Sequence, residues 1–473
     1  MSALLRTMLS LVSLIAMALW VVMPFRFDVV TPRLGIPAIV QSSAQTGNVF
    51  DVTIKTSVAS LFTGKTAAWQ VWLQPWETTK DKPDRISLSV AHKTSSFQQD
   101  ILHVNMPDKV PEGSYSLVIS DGQTEQLRPR AVHVIGLVPP QISIVQFADL
   151  PELGEKAKGD QRLQEIIDEI NIINPELVLM TGDIAYGGSW QQYQLLIKAM
   201  ARINAPVIAA PGNHEYQGWA AFLTLLGSPY HSVRYGPYQI ISLNSGHGRD
   251  QLTESQYAWL QQAIIKSAGR VPLVQLHHPL FRRPELHGTL GNHVPDLART
   301  FQQLKVPIVL SGHWHGDAVY DEQGKERRDT WQFTGTPYVV TTAAGADLRK
   351  DYATSPMHHG YRLIRLQGDR LLNYTYDMDG DGQRDATSSI PLGKLTAVQQ
   401  DTRTILVDNK LNEAFEHALV RFEVPGEVRE LRPDTGTLVR VSRENGSTYY
   451  DVQLAIAPRS QQYVTLSTTV PTP

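Results

Sequence analysis

"LVLMTGDIAYGG", Leu177 to Gly188, opens on an unbroken apolar run and closes on a glycine–aspartate pair, with Tyr186 shortly after. Consecutive apolar residues over so short a run read as a strand buried on both faces, the kind found inside a layered α/β sheet. A second run, "ISIVQFADLP" (Ile142 to Pro151), also ends on a carboxylate, Asp149, but carries Pro151 two residues later. Three more runs finish on polar residues: "VIAAPGNHE" on Asn213 and His214, "LVQLHHP" on His277 and His278, "IVLSGHWH" on His313 and His315. Between the runs lie segments of helical spacing. One is Leu163, Ile166, Ile167, Ile170 and Ile173, with Asp160 as its cap; another is Tyr193, Leu196, Ile197, Met200 and Ile203. A third opens on Thr253 and Gln256 in capping-box spacing and stops at Gly269. This alternation predicts a layered α/β domain over residues 139–392.

The flanks read differently. From residue 28 to 138, Phe50, Val52 and Ile54 alternate with polar residues, as do Trp69, Val71 and Leu73, and Tyr115, Leu117 and Ile119. Period-2 runs separated by Gly, Pro and Asp predict an antiparallel β-sandwich of immunoglobulin or fibronectin III type, joined by the linker "LVPPQ" (Leu137–Gln141). Short alternating strands return over residues 393–473, with Asn445-Gly446 as a hairpin turn, and predict a small C-terminal β-domain. At the other end, residues 1–27 contain the apolar stretch Met8–Met23 after Arg6. It reads as an export signal or a membrane anchor, short for ~30 Å of hydrocarbon at ~1.5 Å per residue. Export to a periplasmic or extracellular location follows in either case, with membrane contact confined to this segment. The chain has 473 residues, a formal net charge of −3 and no cysteine. Thiolate chemistry and disulfides are therefore excluded, and no electrostatic case exists for a nucleic-acid partner.

In open α/β sheets ligands bind beyond the carboxyl ends of the strands. Asp149, Asp183, Tyr186, Asn213, His277, His313 and His315 fall there, so the sequence predicts a metal centre. Carboxylate, amide, phenol and imidazole donors together suit iron, zinc or manganese. The blocks "GD…GNHE…H-x-P…GHWH" resemble the signature of calcineurin-like metallophosphoesterases, and the resemblance runs from about Ile142 to Leu372. It implies a layered αββα sandwich around a two-metal site. Within that superfamily the chain is most similar to purple acid phosphatases. They too lack a histidine in the first block, have Asp-x-x-Tyr in the second and end the third on Glu, here Glu215. The likeness implies Asp149, Tyr186 and His315 at a first metal (iron), Asp183 bridging, and Asn213, His277 and His313 at a second (iron, zinc or manganese). His214 falls on the substrate side.

The expectation is therefore an exported phosphoesterase that hydrolyses small phosphate esters by attack of a metal-bridging hydroxide, with His214 protonating the leaving group. Monoesters are favoured by the resemblance alone. A phosphodiesterase or nucleotidase on the same centre, and a non-catalytic surface or polymer-binding protein with a degenerate core, stay as alternatives. Two further motifs stand apart. The loop "FRRPELHGTLGNH" offers Arg282, Arg283, His287 and His293 as candidate substrate contacts. In "DMDGDGQRD", Asp377, Asp379, Asp381 and Asp385 with Gly382 follow the spacing of a calcium loop, although Ser388 holds the twelfth position.

Overall fold

The computed structural model describes residues 27–468 apart from 43–48, 57–67, 77–84, 97–98, 155–158, 247–249, 283–287, 350–356, 427–429 and 445. The apolar stretch Met8–Met23 lies outside the described residues. Among these, no helix is long and apolar enough to cross a membrane. The chain divides into two compact units, one ending at Leu137 and one running from Val138, which also takes in Leu34–Ile36.

The first unit is all β: eight strands joined in a single hydrogen-bonded path. Its neighbours are antiparallel except at one end, where Ala38–Gln41 runs parallel to Val132–Ile135. The predicted alternation is realised as burial. In Val49–Thr56 the residues Phe50, Val52 and Ile54 point inwards between exposed or half-exposed neighbours. Val52, Leu73, Val104, Leu117 and Val132 meet in one core, so the path wraps over a common interior.

The second unit is built on two six-stranded sheets. In the first, β1 (Gln141–Phe147), β2 (Leu177–Thr181) and β3 (Val207–Ala210) run parallel. In the second sheet β4 (Tyr238–Leu243), β5 (Val271–Leu276), β6 (Val309–Ser311) and β7 (Tyr338–Val340) do the same. Helix α1 (Gly159–Ile173) and α2 (Trp190–Met200) share a core with the outer faces of β1–β3. Helix α3 (Glu254–Lys266) and α4 (Val294–Gln303) share another with β5 and β6. Every residue of β2 is buried, as its unbroken apolar run requires. The layer between the sheets is partly polar: Thr181 Oγ1 donates to Gln275 Oε1, and Thr341 Oγ1 to Gln146 Oε1. The arrangement is the αββα sandwich expected from the sequence.

Two helix starts differ in detail. Asp160 is not a cap; it lies inside the first turn of α1 and its carboxylate accepts the Gly154 N–H. Thr253 does cap α3, accepting Gln256 N at 3.2 Å, but the box is half made. Gln256 is buried and its amide instead clamps both main-chain groups of Asn244.

The C-terminal strands from Leu395 to Thr468 form a four-stranded and a three-stranded sheet, and Glu444 pairs with Ser447 across the predicted Asn445-Gly446 turn. Their Ile405, Phe415, Val420 and Val464 belong to the same apolar core as Ile166 and Ile170 of α1, so residues 138–473 form one unit. Glu169 of α1 seals this junction. Its buried carboxylate accepts the N–H groups of Lys394 and Leu395 at 2.7 and 3.1 Å. Burial pushes the Glu169 pKa up to about 7, against those hydrogen bonds. A raised carboxyl pKa means that the group's contribution is complete below about 4.5 and is lost as pH rises through about 7. The melting temperature should therefore fall between about pH 5 and about pH 8 by ~2–4 °C more in the wild type than in Glu169→Gln. Thermal scans at the two pH values measure the difference.

Candidate metal centre

The five predicted strand ends meet. Asp149 N donates to Gly182 O at 3.1 Å and Leu150 N to Asp183 O at 2.9 Å, tying the loop after β1 to the loop after β2. Gly312 N donates to His277 O at 3.0 Å, tying the loops after β5 and β6, and His313 N donates to Asp149 Oδ2 at 2.9 Å across the two sheets. Four donors take a backbone that side chains seldom adopt: Asp149, Asp183, His313 and His315 have φ of 56°, 49°, 72° and 54°. Left-handed non-glycine residues cost roughly 1–2 kcal/mol each and gather where a site imposes its geometry. The glycines ahead of them make room. A Cβ on Gly182 would lie 2.4 Å from His277 Nδ1, and one on Gly212 would lie 2.2 Å from Asp183 Oδ1.

His277 decides what the cluster can hold. Its ring is fully buried, and Nδ1 donates to Thr181 O at 3.0 Å, which turns Nε2 towards Asp183 Oδ2 at 3.0 Å. His313 Nδ1 stands 3.2 Å from the same nitrogen, and Asp149 Oδ1 3.9 Å. His315 repeats the arrangement: Nδ1 donates to Asp347 O at 2.5 Å and Nε2 faces Asp149 Oδ1 at 3.2 Å. Lone pairs so placed repel unless a cation stands among them. Against the burial that opposes it, Asp183 and Asp149 raise His277 to about 10 when the cation is only a proton. Burial and the charges of His277 and His278 hold His313 well below its ordinary value. A proton on His277 answers one contact only, for Asp149 Oδ1, Asn213 Oδ1 and His214 Nδ1 are buried without a hydrogen-bond partner. The carboxylate oxygens and ring nitrogens of Asp149, Asp183 and His277 lie within 4.8 Å of one another, as do those of His277, His278 and His313. Oxygen and imidazole donors in two overlapping groups fit a pair of transition-metal ions.

Other predicted residues are placed as follows. Tyr186 is 44% exposed and stacks on His214, with ring centroids 4.7 Å apart. Among the described residues its ring contacts neither Asp149 nor His315, and its hydroxyl makes no hydrogen bond. Pro151, Tyr186, His214 and His315 line one cavity of about 640 Å³. His293 stands at the N-cap position of α4 without a side-chain cap bond, stacks on Tyr257 and pairs with Glu254 at 3.0 Å. Arg282 is exposed, and Arg283 and His287 lie outside the described residues. In the acidic loop, Asp377, Asp379 and Asp381 bring one oxygen each within 4.8 Å. Asp385 turns away to accept Met378 N at 2.7 Å, and Ser388 is buried.

Two residues named in the sequence blocks, His278 and Glu215, take a definite place only in the fold. His278 is buried, with Nδ1 3.2 Å from Ser245 Oγ and Nε2 3.1 Å from Asp250 Oδ1. Glu215 is buried below the centre and accepts four main-chain N–H groups, those of Asp183, Ile184, Ala185 and Gly212. It thereby fixes the Gly-Asp turn and the Gly-Asn-His turn to each other. Burial and the Asp183 charge push its pKa up to about 7, while the four donors hold the ionised form. The signal was present as the Glu that ends "GNHE", but only the fold shows which N–H groups it serves. Glu215→Gln brings an amide N–H₂ against those donors. Metal affinity should drop by about 10–100-fold with a lowered melting temperature. Titration of metal into stripped protein, alongside thermal unfolding, checks both.

Residues 142–317 match the family model for calcineurin-like phosphoesterases. The 3',5'-cyclic adenosine monophosphate phosphodiesterase CpdA of Haemophilus influenzae is 25% identical over 258 residues, 52% of this chain and 89% of that protein. Its Escherichia coli K12 counterpart is 33% identical over 164 residues, 32% of this chain and 58% of that protein. Among solved structures, the purple acid phosphatase PPD1 of yellow lupin (Lupinus luteus) aligns over 72% of each chain with a TM-score of 0.47 and 16% identity. The strand-end donors all stand within residues 142–317, the stretch that matches the calcineurin-like phosphoesterase model.

Proposed function

We propose that this protein is a two-metal hydrolase of small phosphate esters, and that it acts outside the cytoplasm. The observation that carries the catalytic reading is the confrontation of His277 Nε2, Asp183 Oδ2 and His313 Nδ1 at 3.0 and 3.2 Å in a buried setting. Asp183 would lie between the ions, with Asn213, His277 and His313 on one side and Asp149, His315 and Tyr186 on the other. Bound metals would supply an activated water and neutralise charge on the phosphoryl oxygens. The chain's own groups do the rest. Asp183 accepts His214 N at 2.9 Å, which sets the His214 ring at the cavity wall. Tyr186 stacks on that ring and restricts its rotation. From there an imidazolium can hand a proton to a departing alkoxide. The Tyr186 hydroxyl, without a hydrogen bond among the described residues, is open for the ligand role left vacant by Pro151.

Diester hydrolysis is the second reading. Both relatives named above carry phosphodiesterase names, whereas the monoester preference rests on likeness to purple acid phosphatases. Nitrophenyl mono- and diesters assayed side by side decide between them. Export rests on the Met8–Met23 stretch and is checked by fractionating cells that express the full chain.

Three outcomes follow from this reading. Protein supplied with iron, zinc or manganese should bind two ions per chain by elemental analysis, and His277→Ala should lose metal and more than about 10²-fold in activity. One ion or fewer in the wild type would favour the non-catalytic alternative. His214→Gln should slow esters of poor leaving groups by about 10²–10⁴-fold and nitrophenyl esters far less, as leaving-group series report. With iron bound, a visible absorption band should be present and should vanish in Tyr186→Phe.

A further inference from the structure

The cavity that carries His214 and His315 is larger than a phosphate needs, about 640 Å³ against ~300–1,000 Å³ for sites that enclose whole small molecules. Arg162, in the first turns of α1, lines it. An arginine beside a site is most often spent on a carboxylate, but among the described residues this one is not. Its Nη1 lies 2.5 Å from Nδ1 and 2.7 Å from Nε2 of His359, and that Nε2 also reaches Ala346 O, a pure acceptor, at 2.9 Å. With Nε2–H donated to the carbonyl, Nδ1 is an acceptor and the imidazole is neutral. Burial and the Arg162 charge both favour that neutral form. Among the described residues no carboxylate pairs with Arg162. The guanidinium is thus held in place by an uncharged partner and keeps its full positive charge towards the cavity.

His359 is anchored to the same turn that serves the metal centre. Gly345 N and Ala346 N donate to Asp149 O, and Asp347 O receives the His315 Nδ1 proton. Arg162 is therefore referenced, through His359 and Ala346, to the two donors proposed for the first metal. Glu152, Asp347 and Arg349 also line the cavity, but all three are exposed, where water screens them.

We infer that Arg162 reads the organic part of the substrate. The preferred ester carries a second anionic group, a carboxylate or another phosphate, besides the phosphoryl group that is attacked. This rests on the phosphoesterase reading above for the position of the scissile group. A charge-assisted contact of this kind changes affinity by about tenfold or more.

The test uses two non-hydrolysable phosphonates that differ only in a free carboxylate or its methyl ester, bound to the metal-loaded full chain by calorimetry. The wild type should prefer the carboxylate by about tenfold or more, Arg162→Gln should bring the two within about threefold, and Arg162→Lys should keep part of the preference. Equal affinities in the wild type, or a preference unchanged in Arg162→Gln, overturn the inference. So does an equal loss on both compounds, which would assign Arg162 to the phosphonate itself. Failure to turn over the matching phosphate esters would sink the hydrolase reading and leave the binding preference standing on its own.

Discussion

One hydrogen bond organises the centre. Because His277 spends its Nδ1 proton on the carbonyl of Thr181, its other nitrogen must face Asp183 across 3.0 Å, with both side chains buried between the sheets. That bond joins the two sheets at the point where both run out, and it makes a cation part of the native arrangement. Everything around it serves to keep the donors from relaxing apart. Left-handed turns aim them, glycines let them close in, and Glu215 fastens two of the turns from below. A fold that maintains such opposition has stored electrostatic work for a ligand to release, which is what preorganisation means in physical terms.

Much of this was legible in the chain itself. Short apolar runs bounded by turn residues read as strands covered on both sides, and a polar residue just beyond such a run falls at the sheet's edge. The positions of Asp149, Asp183, His277 and His313 followed from that rule without any knowledge of pairing. Alternation in Val49–Thr56 foretold one buried face in the same manner.

What escaped the sequence reading was everything that depends on non-local partners. Gln256 has the spacing of a capping box, yet Asn244, brought alongside by the neighbouring strand, competes successfully for its amide. Asp160 has the look of a cap but is drawn to Gly154. Tyr186 stacks its ring on His214, a contact between residues from two different strand ends that no local spacing announced. Arg162 gave no signal at all, since its meaning comes from His359, almost two hundred residues later, being neutral rather than acidic.

The apolar interior shared by α1 and the C-terminal strands has a practical corollary. Cutting the polypeptide near residue 392 would strip Ile166 and Ile170 of their cover and leave Glu169 without its two amide partners. Since the first turns of that same helix carry Arg162, excision would loosen the wall of the reaction chamber as well. The tail strands are thus part of the scaffold that holds α1 in place, down to the last of them, Ser460–Thr468.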